Sequence, residues 1–211
     1  MIQKQDESVN QHMESAMSKQ LEFFFDYVSP ATFLAYTQLP AIIERTGAEL
    51  IYRPFLLGGV FKSSGNSSPM SVPAKGTWLL KDLTRFSKRY NVPMKFNPYF
   101  PINTIQLMRG AIWAGEQNTQ ERYSTAMFRA VWLEEKNMND PAVVSEVLKS
   151  IQIDPEAFVE ATSRQSIKDK LRANTDEAVS RGAFGAPTMF VGEEMFFGQD
   201  RLDFVEEALL T

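Results

Sequence analysis

The sequence predicts an α/β protein whose sheet is assembled from the two ends of the chain, with a large helical block between them. Three observations carry this. Two apolar, aromatic-rich runs, Leu21–Val28 and Ala48–Phe55, flank a helical stretch near the start. No comparable run occurs between Val60 and Arg181, where helical patterns follow one another. Two short runs, Thr188–Val191 and Glu194–Phe197, return just before the end.

The first run, LEFFFDYV, closes on Ser29-Pro30, as a buried strand does. Ser29 suits a helix N-cap, and Pro30 suits the first helical position, where a missing N–H costs nothing. Phe33, Leu34, Ala41 and Ile42 recur at roughly helical spacing up to Gly47, a helix stop, and Pro40 predicts a kink or a break into two helices. AELIYRPF (48–55) reads as a second strand, and the helical stretch between the strands makes a right-handed βαβ unit with parallel pairing.

Trp78–Tyr90, Thr104–Glu116, Gln120–Glu135, Pro141–Lys149, Pro155–Thr162 and Ser166–Arg181 all have helical composition. Asp140-Pro141 and Asp154-Pro155 are N-cap and first-position pairs, and Gly182 marks a stop. TMFV and EMFF, joined through Gly192-Glu193, read as a hairpin. Asp200–Leu210 closes the chain as an amphipathic helix. The order βαβ, helical block, ββα is that of a thioredoxin-like fold with a large all-helical domain inserted in its middle. Residues 21–59 and 182–211 then form the thioredoxin-like domain and 60–181 the helical insertion domain. Residues 1–20 form a disordered or loosely helical tail.

The chain has 211 residues, 44% hydrophobic and 23% charged, which suits a globular protein with a well-buried core. A net charge of -4 and a pI near 5.2 argue against nucleic acid as a partner, because phosphate binding needs clustered Lys and Arg. No apolar stretch is long enough for a membrane span, and the polar N-terminus lacks the features of a signal peptide, so the expected location is the cytoplasm. His12, the only histidine, falls in the tail. No metal site is expected, since there is no cysteine and no histidine in the folded part.

Ser29-Pro30-Ala31-Thr32, at the strand-to-helix junction, pairs with Gly185-Ala186-Pro187-Thr188, just before the hairpin. Thioredoxin-like redox proteins carry a Cys-x-x-Cys at the first place and a cis-proline loop at the second. Here serine opens the first slot and the chain has no cysteine at all. Disulfide exchange is therefore excluded, and any sulfur used must come from a bound molecule. A Ser-His-Asp hydrolase is excluded as well, because Ser29 has no histidine in the folded part to serve as its base.

Six segments carry a specific resemblance: FDYVSPATFLA (25–35), RPFLLGGVFKSSGN (53–66), DLTRFSKRYNVP (82–93), Ile102-Asn103-Thr104, FRAVW (128–132) and FGAPTMFVGEEMFFGQDRL (184–202). Together they resemble the 2-hydroxychromene-2-carboxylate isomerases and, more broadly, the kappa-class glutathione transferases of the DsbA-like thioredoxin superfamily. The resemblance spans residues 21 to 210 and leaves the tail outside. It implies a glutathione site, and a homodimer as in relatives.

On this resemblance Ser29 is the catalytic residue, its hydroxyl donating to the glutathione sulfur at a helix N-terminus that favours the thiolate. Ala186 and Pro187 form the cis-proline loop whose backbone pairs with the cysteinyl unit. Gln199 and Asp200 take the γ-glutamyl end, with Asp200 on the ammonium; the alternative for Asp200 is a plain N-cap. Lys62 and Asn66 fall in the glycine-rich loop leaving the second strand. Lys62 is a candidate for a carboxylate or else a solvated lysine, and Asn66 sits near the thiol or else only in a turn. Asn103 and Thr104 enter the substrate side. Arg85 and Arg89, four residues apart on one helix, could meet a substrate carboxylate, or form a solvated basic face. Trp113, Phe128 and Trp132 belong to the core or the cleft wall.

The implied reaction is glutathione-dependent isomerisation. The thiolate adds reversibly to a conjugated cyclic enol ether such as 2-hydroxychromene-2-carboxylate, the ring opens, rotation follows, and elimination returns glutathione. The partner is thus a small aromatic carboxylate or another electrophile. One alternative is a kappa-like transferase conjugating hydrophobic electrophiles. Another is a non-catalytic thioredoxin-like binding module.

Overall fold

The computed structural model describes residues 19–211, so the expected tail and His12 lie outside the described residues, apart from the tail's last two positions. The first strand, β1 (Gln20–Phe25), takes up one of them and ends three residues earlier than the apolar run suggests. Its side chains alternate between the two faces of the sheet. Phe23 and Phe25 stack with centroids 5.4 Å apart on one face, while Phe24 meets Phe55 and Phe190 on the other.

Ser29 caps α1 (Pro30–Tyr36), accepting from Thr32 N at 3.1 Å. The chain breaks before Pro40, as the proline requires, and resumes as α2 (Leu39–Thr46), which Gly47 ends at φ 68°. β2 (Glu49–Pro54) runs parallel to β1. The hairpin of β3 (Thr188–Val191) and β4 (Glu194–Phe197) adds two antiparallel strands, giving the sheet order β2-β1-β3-β4. The closing helix, α10, spans Leu202–Leu210.

Between the halves lie α3 (Leu57–Ser64), α4 (Pro73–Arg89), α5 (Ile105–Glu116), α6 (Gln120–Trp132), α7 (Pro141–Ser150), α8 (Pro155–Ser163) and α9 (Gln165–Ser180). Asp140 and Asp154 cap α7 and α8 as their sequence pairs require, accepting from Ala142 N at 2.9 Å and Glu156 N at 3.0 Å. One element corrects the sequence reading. The segment taken as a glycine-rich loop is the helix α3, and Lys62 stands exposed in its last turn. A second correction concerns Asp200: the last helix begins at Leu202 with Arg201 at its cap position, so Asp200 does not cap it.

The larger core lies on the Phe23/Phe25 face, where Tyr27, Tyr123, Phe128 and Trp132 are fully buried. Trp132 donates Nε1–H to the Tyr27 carbonyl at 2.8 Å, tying the helical block to the end of β1. Phe128 is likewise core, and Trp113 packs edge-on against Phe158. A smaller core of Phe24, Phe55, Val60, Ala178, Ala183 and Phe190 fills the other face beneath α3 and α9. At its margin Arg53 and Arg181 bridge Glu22 and Glu177, and Arg181 lies 3.7 Å over the Phe190 ring.

Candidate active site

The C-terminal end of β1, the loop before β3 and the start of the helical block converge on one cleft of about 650 Å³. Ser29 stands in it, 5% exposed, because strand β1 ends in a turn closed by Ser29 N–H on the Asp26 carbonyl at 3.1 Å. Its oxygen accepts from Thr32 N, which leaves the hydroxyl hydrogen free to donate. That hydrogen points to the Ala186 carbonyl at 3.2 Å. The Ala186-Pro187 peptide is cis, as the Gly-Ala-Pro-Thr segment suggested.

Ala186 N–H has no hydrogen-bond partner among the described residues, and the Ala186 carbonyl meets only the Ser29 hydroxyl. The loop thereby offers one donor and one acceptor at the end of β3, the pair an extended peptide needs. Gln199, 6% exposed, also lines the cleft, and its carboxamide makes no hydrogen bond among the described residues. Its carbonyl accepts from Tyr90 Oη at 2.5 Å, so the end of α4 fixes this stretch. Asp200 follows, half-exposed and paired with Arg201 at 2.7 Å. An open backbone donor, an unpartnered amide and a carboxylate thus line the same cleft.

The other expected site residues divide. Asn66, Asn103 and Thr104 line the same cleft as Ser29, Ala186, Gln199 and Asp200. Asn66 Nδ2 donates to the Phe184 carbonyl at 2.8 Å, just upstream of the cis loop. Lys62, Arg85, Arg89 and Pro187 are not among the lining residues. Pro187 is buried beneath Ala186. Arg85 is exposed and pairs with Asp82 at 3.2 Å, so it touches the cleft only through that carboxylate. Arg89 lies over the Phe86 ring, 5.2 Å from its centroid. Among the described residues no cluster of His, Cys, Asp and Glu could hold a metal ion.

Asp26 is the residue the sequence concealed. It is 2% exposed and reaches the cleft floor, with Oδ1 accepting from Thr104 Oγ1 at 2.6 Å and Val28 N at 3.1 Å, and Oδ2 from Leu57 N at 3.0 Å. One carboxyl thus fastens the Ser29 turn, the start of α3 and the start of α5. Burial pushes it above its ordinary value near 3.8, against the opposing pull of Thr104, Leu57 and Val28. Because the folded protein holds this proton more tightly, stability is complete below the ordinary value and falls as pH rises through the raised one. Asp26→Asn cannot ionise, so denaturant titrations across the acid range should show its stability curve losing that decline. Parallel curves for the two proteins would remove Asp26 as the source.

Aromatic and aliphatic side chains the sequence did not single out make up the remaining wall, including Trp78, Phe96 and Phe100. Trp78 is 59% exposed although it belongs to a cleft. Helical spacing marked this segment as helix, but only the tertiary fold shows that its apolar face meets a cleft instead of the core.

The model of the DSBA-like thioredoxin domain matches residues 20–210. The chain belongs to the DSBA-like thioredoxin domain family. Within that family it is 32% identical to a 2-hydroxychromene-2-carboxylate isomerase of Sphingobium xenophagum, over 92% of this chain and all of the relative. The resemblance read from the sequence therefore holds. A glutathione S-transferase kappa 1 of Caenorhabditis elegans is 29% identical, over 90% of each chain. A solved 2-hydroxychromene-2-carboxylate isomerase superposes with a TM-score of 0.82 at 29% identity, covering 90% of this chain and 94% of its own. This DSBA-like protein thus has isomerases and glutathione transferases as relatives. No helix among its described residues is long and apolar enough to cross a membrane.

Proposed function

We propose that this protein is a glutathione-dependent isomerase acting on aromatic substrates like 2-hydroxychromene-2-carboxylate. The observation that carries the reading is the Ser29 hydroxyl, directed at the cis-loop carbonyl of Ala186 in a protein without cysteine. When bound, glutathione supplies a thiolate that adds reversibly to an electrophilic carbon of the substrate.

The chain's own residues bind and orient. Ser29 Oγ is held from behind by Thr32 N–H, so its hydrogen can turn from the Ala186 carbonyl to an incoming sulfur. The turn releases that carbonyl, which then accepts an N–H from an extended peptide while Ala186 N–H donates to one. The Gln199 carboxamide and the Asp200 carboxylate receive the end bearing both an ammonium and a carboxylate. Trp78, Phe96 and Phe100 give an aromatic body an apolar, partly water-excluding wall, so the reacting centre is held in place by packing.

The kappa-class relatives favour a second reading, irreversible conjugation, and one assay separates the two. Purified protein is given 2-hydroxychromene-2-carboxylate and glutathione, the ultraviolet change is followed, and free glutathione is counted at completion. Isomerisation returns all of it. Conjugation consumes one glutathione per product, and would overturn the proposal. If calorimetry detects no glutathione binding at millimolar concentration, the thioredoxin-like site is a non-catalytic module.

A further inference from the structure

The cleft around Ser29 is lined by three carboxylates, Asp26, Asp82 and Asp200, and by no Lys or Arg among the described residues. Within it no side-chain cation faces a substrate carboxylate. Immediately beside it lies a second hollow of about 440 Å³ between α5, α7 and α8. The two share Asn103 and Ile105, which form the ridge between them.

The second hollow has the opposite character. Arg109 is its only charged lining residue, half-buried, and its guanidinium makes no ion pair or hydrogen bond among the described residues. Two amides beside it are arranged as donors. Asn103 Oδ1 accepts from Ile105 N at 3.2 Å, and Asn139 Oδ1 accepts from Asn103 N at 2.9 Å. With both oxygens engaged, the two NH₂ groups remain to donate. A guanidinium and two amide donors over an apolar floor that includes Val144 and Val159 fit a planar oxyanion on an apolar body, such as an aromatic carboxylate.

We propose that this hollow is the carboxylate subsite of an aromatic carboxylate substrate whose electrophilic carbon lies at Ser29. The proposal rests on the reading of Ser29 as the reacting centre. The ridge is fastened to that centre: Thr104 Oγ1 donates to Asp26, and the Asp26 carbonyl accepts from Ser29 N–H. Arg109 stands four residues beyond Ile105, so it follows on the same face of α5, ~6 Å along the axis. A flat ring system spanning the ridge at Ile105 keeps its apolar body in the first cleft and its charge in the second. This also assigns a cation to the substrate where Arg85 and Arg89 do not line the cleft.

Calorimetric titration with 2-naphthoate and with neutral 2-naphthamide tests the subsite directly, on the wild-type chain and on Arg109→Gln. Wild type should bind the carboxylate about tenfold more tightly than the amide, the effect of one charge-assisted contact. In Arg109→Gln that preference should vanish while amide binding and the circular dichroism spectrum stay unchanged. Arg109→Lys should retain part of it. Equal binding of the two probes to wild type, or an undiminished preference in Arg109→Gln, overturns the proposal. Turnover of 2-hydroxychromene-2-carboxylate with glutathione judges the proposed function separately. A preserved preference without turnover rejects isomerisation and keeps the subsite, and turnover without a preference does the reverse.

Discussion

Ser29→Ala is expected to slow turnover about 100-fold, the usual effect of removing one positioned donor from a developing anion. The hydroxyl has two engagements, and alanine loses both. Losing the bond from Thr32 N removes the cap of α1, which costs about 1 kcal/mol of stability. Losing the O–H directed at Ala186 removes the group proposed to hold the sulfur. The two losses separate by measurement. Stability should fall by the cap energy alone, while the ultraviolet thiolate band of bound glutathione should titrate at higher pH than in wild type. Ser29→Thr keeps both engagements and should retain most activity. If alanine leaves turnover and the thiolate titration unchanged, Ser29 is only a cap. Asp200→Ala should act differently, weakening glutathione affinity with little effect on the rate at saturation, because its carboxylate is proposed to bind the ammonium and not the sulfur.

The elements most legible in the sequence were those whose local signals agree with the tertiary fold. Ser29-Pro30 caps and starts a helix by its own chemistry, and the fold uses that same junction to present the serine. Gly192-Glu193 between two apolar runs could form little else than a hairpin. The misread segment, Leu57–Ser64, shows the opposite. Gly58 and Gly59 weaken a helix by about 1 kcal/mol each, so the stretch reads as a loop. Packing overrides propensity there, since a Cβ at Gly59 would stand 3.1 Å from Thr175 Cγ2 on α9. The glycine serves close approach of two helices.

Site residues follow the same division. Ala186-Pro187 and Gln199 announce themselves by a turn or by a polar pair after a strand. Asp26 does not, because a carboxylate within an apolar run looks like the polar side of a strand. Its three donors come from Val28, Leu57 and Thr104, which only the fold assembles. Arg85 and Arg89 illustrate the converse. Spacing of four places both on one face of α4, in line with Trp78 and Asp82, but it cannot say how far along the helix the cleft reaches, and the lining stops at Leu83.

Gly110→Ala is expected to be the most destabilising single-methyl change in the helical block, by about 3 kcal/mol. Gly110 is buried on α5 where that helix packs on α6 and α8, and a Cβ there would overlap both Tyr123 Oη and Phe158 Cε2. Neither ring can retreat freely. Tyr123 is fully buried, donates to the Leu107 carbonyl at 2.9 Å and lies against Phe158 with centroids 6.2 Å apart. Making room therefore costs packing strain and the buried hydroxyl's partner together, which exceeds the ~1 kcal/mol that alanine gains over glycine as a helix former. Gly58→Ala is the control: nothing lies within 4 Å of its added Cβ, so that variant should match or exceed wild-type stability. Denaturant midpoints for the two variants decide the matter. Similar midpoints for Gly110→Ala and wild type would mean that Tyr123 and Phe158 yield without cost. Tyr123→Phe in the Gly110→Ala background should recover part of the loss, because it removes the oxygen that the new methyl strikes, and a strictly additive double variant would locate the strain at the Phe158 and Tyr123 rings and not at the hydroxyl.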